Sequence, residues 1–280
     1  MREIRFDTIK DAVRELCLKA NFEMRSDILK ALRTSLRKET NDRAKRILKS
    51  IIENARIAKK KRLAICQDTG MVIVFLEIGQ DVSFVGGSLK KAVDDGVREA
   101  YHKGCLRKSV VEDALLRNNT ATNTPAVIYT DIVEGGRVNL EVSPKGFGSE
   151  SKSAVKMLRP TASMEEIKGF ILDIVKFAGP DACPPFILGV GIGGTFDTVT
   201  HLAKRALFRS IEQRNPKRHM ANLERELFKE INTLGLGPMG LGGRTTVLGV
   251  NILDAPTHIA GLPVAVNISC HATRSASKII

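Results

Sequence analysis

Apolar residues return at three- and four-residue intervals through the first 62 positions. Val13, Leu16, Cys17 and Ala20 mark one stripe, with Asp7 as its N-cap. Ile28, Leu29, Leu32 and Leu36 mark a second behind Ser26, and Ala44, Ile47, Leu48, Ile51 and Ala55 a third behind Asn41. That period predicts three amphipathic helices, each with a face that must pack on something. The pattern changes at Leu63. Residues 71–78, MVIVFLEI, are β-branched and apolar without alternation, as in a strand buried on both faces. Helices are expected over 88–102 and, more briefly, 110–117. Residues 126–133 and 137–143 flank Glu134-Gly135-Gly136, which predicts a hairpin. A glycine-rich loop at Lys145, a helix over 164–178 and a short strand over 186–190 follow. Helices over 197–208 and 219–233 and strands over 245–253 and 263–269 complete the chain. The mixture places the fold in the α/β (mixed α+β) class. A helical N-terminal segment, 1–62, precedes a two-lobed sheet-and-helix region, 63–280. No linker interrupts the pattern, so one domain over 1–280 is expected.

Composition narrows the classes. The chain has 280 residues, 43% hydrophobic and 27% charged, which excludes wholesale disorder. No apolar run approaches the roughly 18 residues a membrane helix needs, and the first residues carry no apolar signal stretch. A cytoplasmic protein without membrane contact is therefore expected. The net charge is +13, concentrated in the first 62 residues and ending in Lys59-Lys60-Lys61-Arg62. Such a balance can attract nucleic acid or small anions. With 11 Phe, 2 Tyr and no Trp, stacking platforms for bases are scarce, so a solvated helical surface is the better reading.

Five cysteines in an unexported chain argue against a disulfide framework. Cys17 lies on an apolar stripe and reads as a small buried hydrophobe. Cys105, in HKGCLRKS, reads as structural. Cys66 in AICQDTG, Cys183 in GPDACPPF and Cys270 in VNISCHATR fall at loop or element-end positions, where functional groups are commonly presented. Three such thiolates can hold a cubane iron–sulfur cluster with one iron left open as a Lewis acid. Zinc is the alternative, with His271 beside Cys270, although the spacings are unlike compact zinc motifs.

Gly189 to Gly194 contains G-x-G-x-x-G after a strand candidate and before a helix, the setting of a dinucleotide site. This keeps an NAD-dependent oxidoreductase open. GLGPMGLGG from Gly235 repeats the spacing, but a strand follows it. KGFGSESK brings Lys145 and backbone N–H groups together, a nest for a carboxylate or phosphate. All three stretches can equally serve tight turning.

Seven segments then occur in order: ICQDTG, NNTATNTPA, KGFGSESK, ACPPF, GIGGT, GLGPMGLGG and SCHATR. Together they closely resemble the α subunit, or N-terminal domain, of the class I, iron–sulfur-dependent fumarate hydratases and L-tartrate dehydratases. The resemblance runs from about residue 5 to the end. It implies a [4Fe–4S] cluster on Cys66, Cys183 and Cys270. It implies substrate contacts from Gln67 and Asp68, with Asp68 exchanging or orienting a proton. It further implies a substrate-carboxylate role for Arg107, a loop contact through Lys145 and Gly146, and an active-site histidine at His258. Phe147 replaces a glycine of the family's loop. The implied reaction is reversible hydration of fumarate to malate, a step of the tricarboxylic acid cycle, with L-tartrate dehydration as the alternative. Fused members continue into a second domain carrying more substrate residues and a threonine base. The resemblance therefore implies a separate β subunit, in an α₂β₂ assembly, and no nucleic-acid partner. A basic nucleic-acid-binding protein without catalysis remains the remotest alternative.

Overall fold

The computed structural model describes residues 1–280. Its elements are β1 Arg2–Arg5, α1 Phe6–Phe22, α2 Ser26–Lys38, α3 Asp42–Lys61, β2 Met71–Gly79 and β3 Val82–Val85. There follow α4 Leu89–Lys103, β4 Val127–Val133, β5 Val138–Lys145, α5 Phe147–Glu150, β6 Ala154–Leu158 and α6 Met164–Ala178. The last are β7 Phe186–Gly193, α7 Phe196–Ala206, α8 Arg218–Thr233, β8 Val247–Ala255, β9 Leu262–Ser269 and β10 Ala276–Ile279. The mixed class is as expected, and no helix is long and apolar enough to cross a membrane. The chain divides into two compact units. The first holds Met1–Arg25, Asn54–Phe147 and Arg274–Ile280; the second holds Ser26–Glu53 and Gly148–Thr273.

In the first unit the main sheet has the order β10-β5-β2-β4. β2 runs parallel to β4 and antiparallel to β5, and β5 is antiparallel to β10. The apolar run that predicted a doubly buried strand is therefore the central strand. Ile9, Val13, Leu16 and Cys17 of α1 pack with Val93, Val97 and Tyr101 of α4 and with Val74, Leu76 and Leu140 of the sheet. The expected hairpin does not form: β4 and β5 are not neighbours, because β2 lies between them and bonds both. A central strand buried on both faces satisfies its backbone only with a partner on each edge. The helix expected over 110–117 is absent too. Asp113 Oδ1 accepts from the N–H groups of Leu115 and Leu116, each at 2.7 Å, and Val111 bridges Asn119. This side-chain turn competes with a helix for the same donors.

In the second unit the sheet has the order β6-β9-β7-β8. β7 is parallel to β8 and antiparallel to β9, and β9 is antiparallel to β6. Ile171 and Val175 of α6 and Leu227 and Ile231 of α8 pack with Leu188, Val190, Ile252 and Val266 of the sheet. Helix α6 starts on a capping box: Ser163 Oγ accepts from Glu166 N, and the Glu166 carboxylate accepts from Ser163 N. Asn41 caps α3 as expected, accepting from Arg43 N and Ala44 N at 2.9 and 3.2 Å.

The glycine-rich G-x-G-x-x-G stretch has a packing role. Gly189 and Gly191 lie within β7, not in the turn after it. A Cβ on them would stand 2.0 Å from Ala203 O and 2.2 Å from Val199 O of α7. The glycines admit the helix backbone onto the strand. A phosphate cradle needs them in the turn itself, so the dinucleotide reading loses its structural context.

Candidate active site

Strand register builds the first cluster of predicted residues. Met71 opens β2 and pairs with Lys145, which closes β5. The loop before β2, carrying Cys66, Gln67 and Asp68, therefore meets the turn after β5, carrying Gly146 and Phe147. The contact is close. Gly70 has φ of +75°, and a Cβ there would lie 2.7 Å from Lys145 N. The Asp68 carboxylate is held at both oxygens. Oδ1 accepts from Gly70 N at 2.9 Å and Oδ2 from Phe147 N at 2.8 Å. The nest in KGFGSESK thus has an anion of its own, Asp68. A Cβ on Gly146 would stand 3.0 Å from Oδ2, so a larger residue would press on this carboxylate. Lys145 is buried, with Nζ directed to Gly146 O at 3.5 Å.

Buried polar groups fix this loop from behind. Ile65 N donates to Asn21 O at 2.9 Å, and Ile65 O accepts from Asn54 Nδ2 at 2.8 Å. Arg274 Nη2 donates to Asp68 O at 2.8 Å, and Nη1 donates to Asn21 Oδ1 at 3.2 Å. Tyr101 donates its hydroxyl to the carbonyls of Thr69 and Gly70, and burial pushes that hydroxyl well above its ordinary pKa. Asn123 Nδ2 adds a bond to Gly70 O at 3.1 Å. Thr69 Oγ1 donates to Arg107 O at 2.6 Å, so the backbone of Arg107 is tied to the same loop while its side chain is exposed. Sequence reasoning missed Thr69, Tyr101, Asn123 and Arg274. The signal for three of them was present, since Thr69 lies in ICQDTG, Asn123 in NNTATNTPA and Arg274 in SCHATR.

The second unit repeats the device. Ile187 near the start of β7 pairs with Ser269 at the end of β9. The residues before β7 and after β9 are thereby neighbours. His271 N donates to Cys183 O at 3.2 Å, and His271 Nδ1 lies 3.1 Å from the same oxygen. The structure thus brings the Cys183 and Cys270 segments together. Cys183 has φ of +54°, after a single 3₁₀ turn over Gly179–Ala182 and before Pro184-Pro185. The prolines end the turn and start β7. Thr273 Oγ1 donates to Cys270 O at 2.8 Å. His258 is not brought to this place. It is exposed in the loop before β9, whereas Cys270 follows β9, so the eight residues of that strand stand between them. At ~3.4 Å per residue they separate the two by roughly 25 Å. His258 Nδ1 accepts from Ala260 N at 3.2 Å.

None of the five cysteines is in a disulfide. Cys66, Cys183 and Cys270 are half-buried, and Cys66 Sγ lies 3.4 Å from Gln67 Oε1. Cys17 is fully buried, and burial pushes its thiol far above the ordinary range, so it does not serve as a thiolate. Cys105 is exposed with φ of +49°, in the turn after α4, and packs into no core. No group of three or more His, Cys, Asp or Glu side chains is arranged around a single metal ion.

The family described as "Fumarate hydratase (Fumerase)" matches residues 10–278. The chain belongs to that family and is a hydro-lyase. It is 41% identical over 279 residues to the "Putative L(+)-tartrate dehydratase subunit alpha" of Methanocaldococcus jannaschii, covering 97% of each chain. It is 30% identical over 260 residues to the "L(+)-tartrate dehydratase subunit alpha" of Escherichia coli O157:H7, covering 92% of this chain and 86% of that one. The protein of the same name from Escherichia coli strain UTI89 is 31% identical over 254 residues, with 90% and 84% covered.

Proposed function

We propose that this chain is the α subunit of an iron–sulfur hydro-lyase that removes water from L-tartrate. The observation that carries the substrate is the 41% identity, over 97% of both chains, to the "Putative L(+)-tartrate dehydratase subunit alpha" of Methanocaldococcus jannaschii. A second reading, reversible hydration of fumarate, rests on the description of the family that matches residues 10–278. Both substrates are dicarboxylates, and both reactions transfer water across a carbon–carbon bond.

The donor set suits an iron–sulfur cluster. Cys66, Cys183 and Cys270 are half-buried thiols at element ends, and Cys17 is excluded by burial. A purely sulfur set suits iron–sulfur chemistry better than a lone hard cation, and a multi-iron core spreads its ligands wider than one ion does. When bound, such a cluster supplies a Lewis-acidic iron for a substrate hydroxyl.

The chain's own groups divide the remaining work. The two N–H donors on Asp68 fix the orientation of its carboxylate and leave lone pairs on both oxygens to take or return a proton. Arg107 offers an exposed guanidinium, on a backbone held by Thr69, to one substrate carboxylate. Gln67, beside Cys66, and Lys145 and Gly146, beside Asp68, are assigned the further substrate contacts. The half-reaction left to another chain is proton abstraction from carbon, which calls for a β subunit, in an α₂β₂ assembly. The relatives' names as α subunits support a partner of that kind. A cytoplasmic setting fits a cluster that oxygen degrades.

The test is anaerobic co-purification with the β chain, followed by parallel assays of oxaloacetate formed from L-tartrate and malate formed from fumarate. The proposal expects turnover of L-tartrate to exceed that of fumarate. Turnover of fumarate alone would establish the second reading, and turnover of neither, with a loaded cluster, would reject both.

A further inference from the structure

A cavity of about 610 Å³ opens in the second unit beside α8, the segment 211–214 and β8. None of the residues assigned above to cluster or substrate lines it. Phe228, Leu248 and Val250 make its lining apolar, and Ile211 folds over Gly249, where a Cβ would meet Ile211 Cγ2 at 2.4 Å. Arg214, Arg218, Arg225 and Lys229 form an exposed cationic rim. The last three share one face of α8, where like charges repel. None of the four has a carboxylate partner, and Arg225 bonds only the Asn222 side chain. Both carboxylates of the cavity are engaged otherwise. Glu212 pairs with Lys30 at 2.6 Å. Glu224 pairs with Arg209 and accepts from Asn215 Nδ2 and Ile252 N. The cavity therefore presents uncompensated positive charge around an apolar lining, in a volume typical of small-molecule sites.

We infer that this cavity binds a small organic polyanion with a flat apolar body, of the nucleoside polyphosphate class. Arginine forks suit phosphate oxygens, and the half-exposed Phe228 ring with Leu248 and Val250 suits a base. The charge complementarity selects the anion, and the apolar lining selects the body attached to it. ATP and inorganic triphosphate are the probes, titrated calorimetrically into the full chain at physiological ionic strength. ATP is expected to bind saturably at one site, and more tightly than triphosphate. Arg218→Ala with Arg225→Ala is expected to weaken ATP by about tenfold or more, and Phe228→Ala to weaken ATP but not triphosphate. The substituted side chains are exposed, so an unchanged Tm keeps the comparison valid. Absence of saturable ATP binding, ATP binding unchanged in the double variant, or triphosphate binding as tight as ATP would each overturn the inference.

Discussion

The two units solve one problem with the same sheet. In each, a central strand has a parallel neighbour on one side and an antiparallel neighbour on the other, and a fourth strand joins antiparallel beyond that. The central antiparallel pair is β2/β5 in one and β7/β9 in the other, and both pairs place chemistry at the same end, before the first strand and after its partner. The difference lies in what is offered there. The first unit presents a carboxylate clamped by two backbone N–H groups, beside one thiol. The second presents two thiol segments joined through His271 and Cys183 O. One sheet plan thus carries different side-chain groups at the same end in the two units. The chain passes from one unit to the other four times, between α1 and α2 and within α3, the short α5 and the SCHATR segment.

The comparison breaks most severely where backbones touch. Gly191→Val in the second unit would drive a branched side chain into Val199 O and is expected to cost more than about 3 kcal/mol, read as loss of soluble folded chain or a large fall in Tm. Asp68→Asn in the first unit should lower stability by about 1 kcal/mol and leave iron content close to wild type. One of its two N–H partners would then face an amide donor rather than an acceptor. Hydro-lyase turnover should fall roughly 10²- to 10⁴-fold.

A third substitution separates scaffold from chemistry by pH. Glu39 in the second unit is buried, which raises its pKa, but N–H bonds from Asn41, Arg244 and Thr40 outweigh that, so its carboxyl lies below the ordinary range. A depressed value contributes stability above the unfolded carboxyl pKa and loses it as pH falls through the folded one. Glu39→Gln should therefore cost about 1–3 kcal/mol at neutral pH, and the gap to wild type should close on acidification, as measured by denaturant unfolding. The smallest effect belongs to His258. His258→Asn should leave iron content unchanged and stability within about 0.5 kcal/mol, because β9 separates it from Cys270 and its side chain is exposed.

Much of this was readable along the chain because local rules decide it. The period of apolar residues located the long helices, and Asn41 marked the start of α3. The run 71–78 announced a central strand. Partners of strands were less legible. Glu134-Gly135-Gly136 reads as a tight hairpin, yet the two strands flanking it bond to β2 instead, because pairing is a tertiary choice. The short strands β1, β3, β6 and β10 span only four or five residues, too few for a period to show, and get their order from a neighbour. The helical segment 1–62 reads as one stretch, but α1 belongs to the first unit and α2 to the second. For the site, motif segments exposed Cys66, Asp68, Cys183 and Cys270. The supporting residue Tyr101 was silent, since a buried hydroxyl looks like any other until its carbonyl partner is known.

The central proposal is that Cys66, Cys183 and Cys270 together hold one iron–sulfur core. It is tested most directly by iron and acid-labile sulfide content after anaerobic purification of three single variants, Cys66→Ser, Cys183→Ser and Cys270→Ser, beside Cys105→Ser. The account predicts loss of cluster in each of the three and full retention in Cys105→Ser. Wild-type iron and sulfide in any one of the three would contradict it.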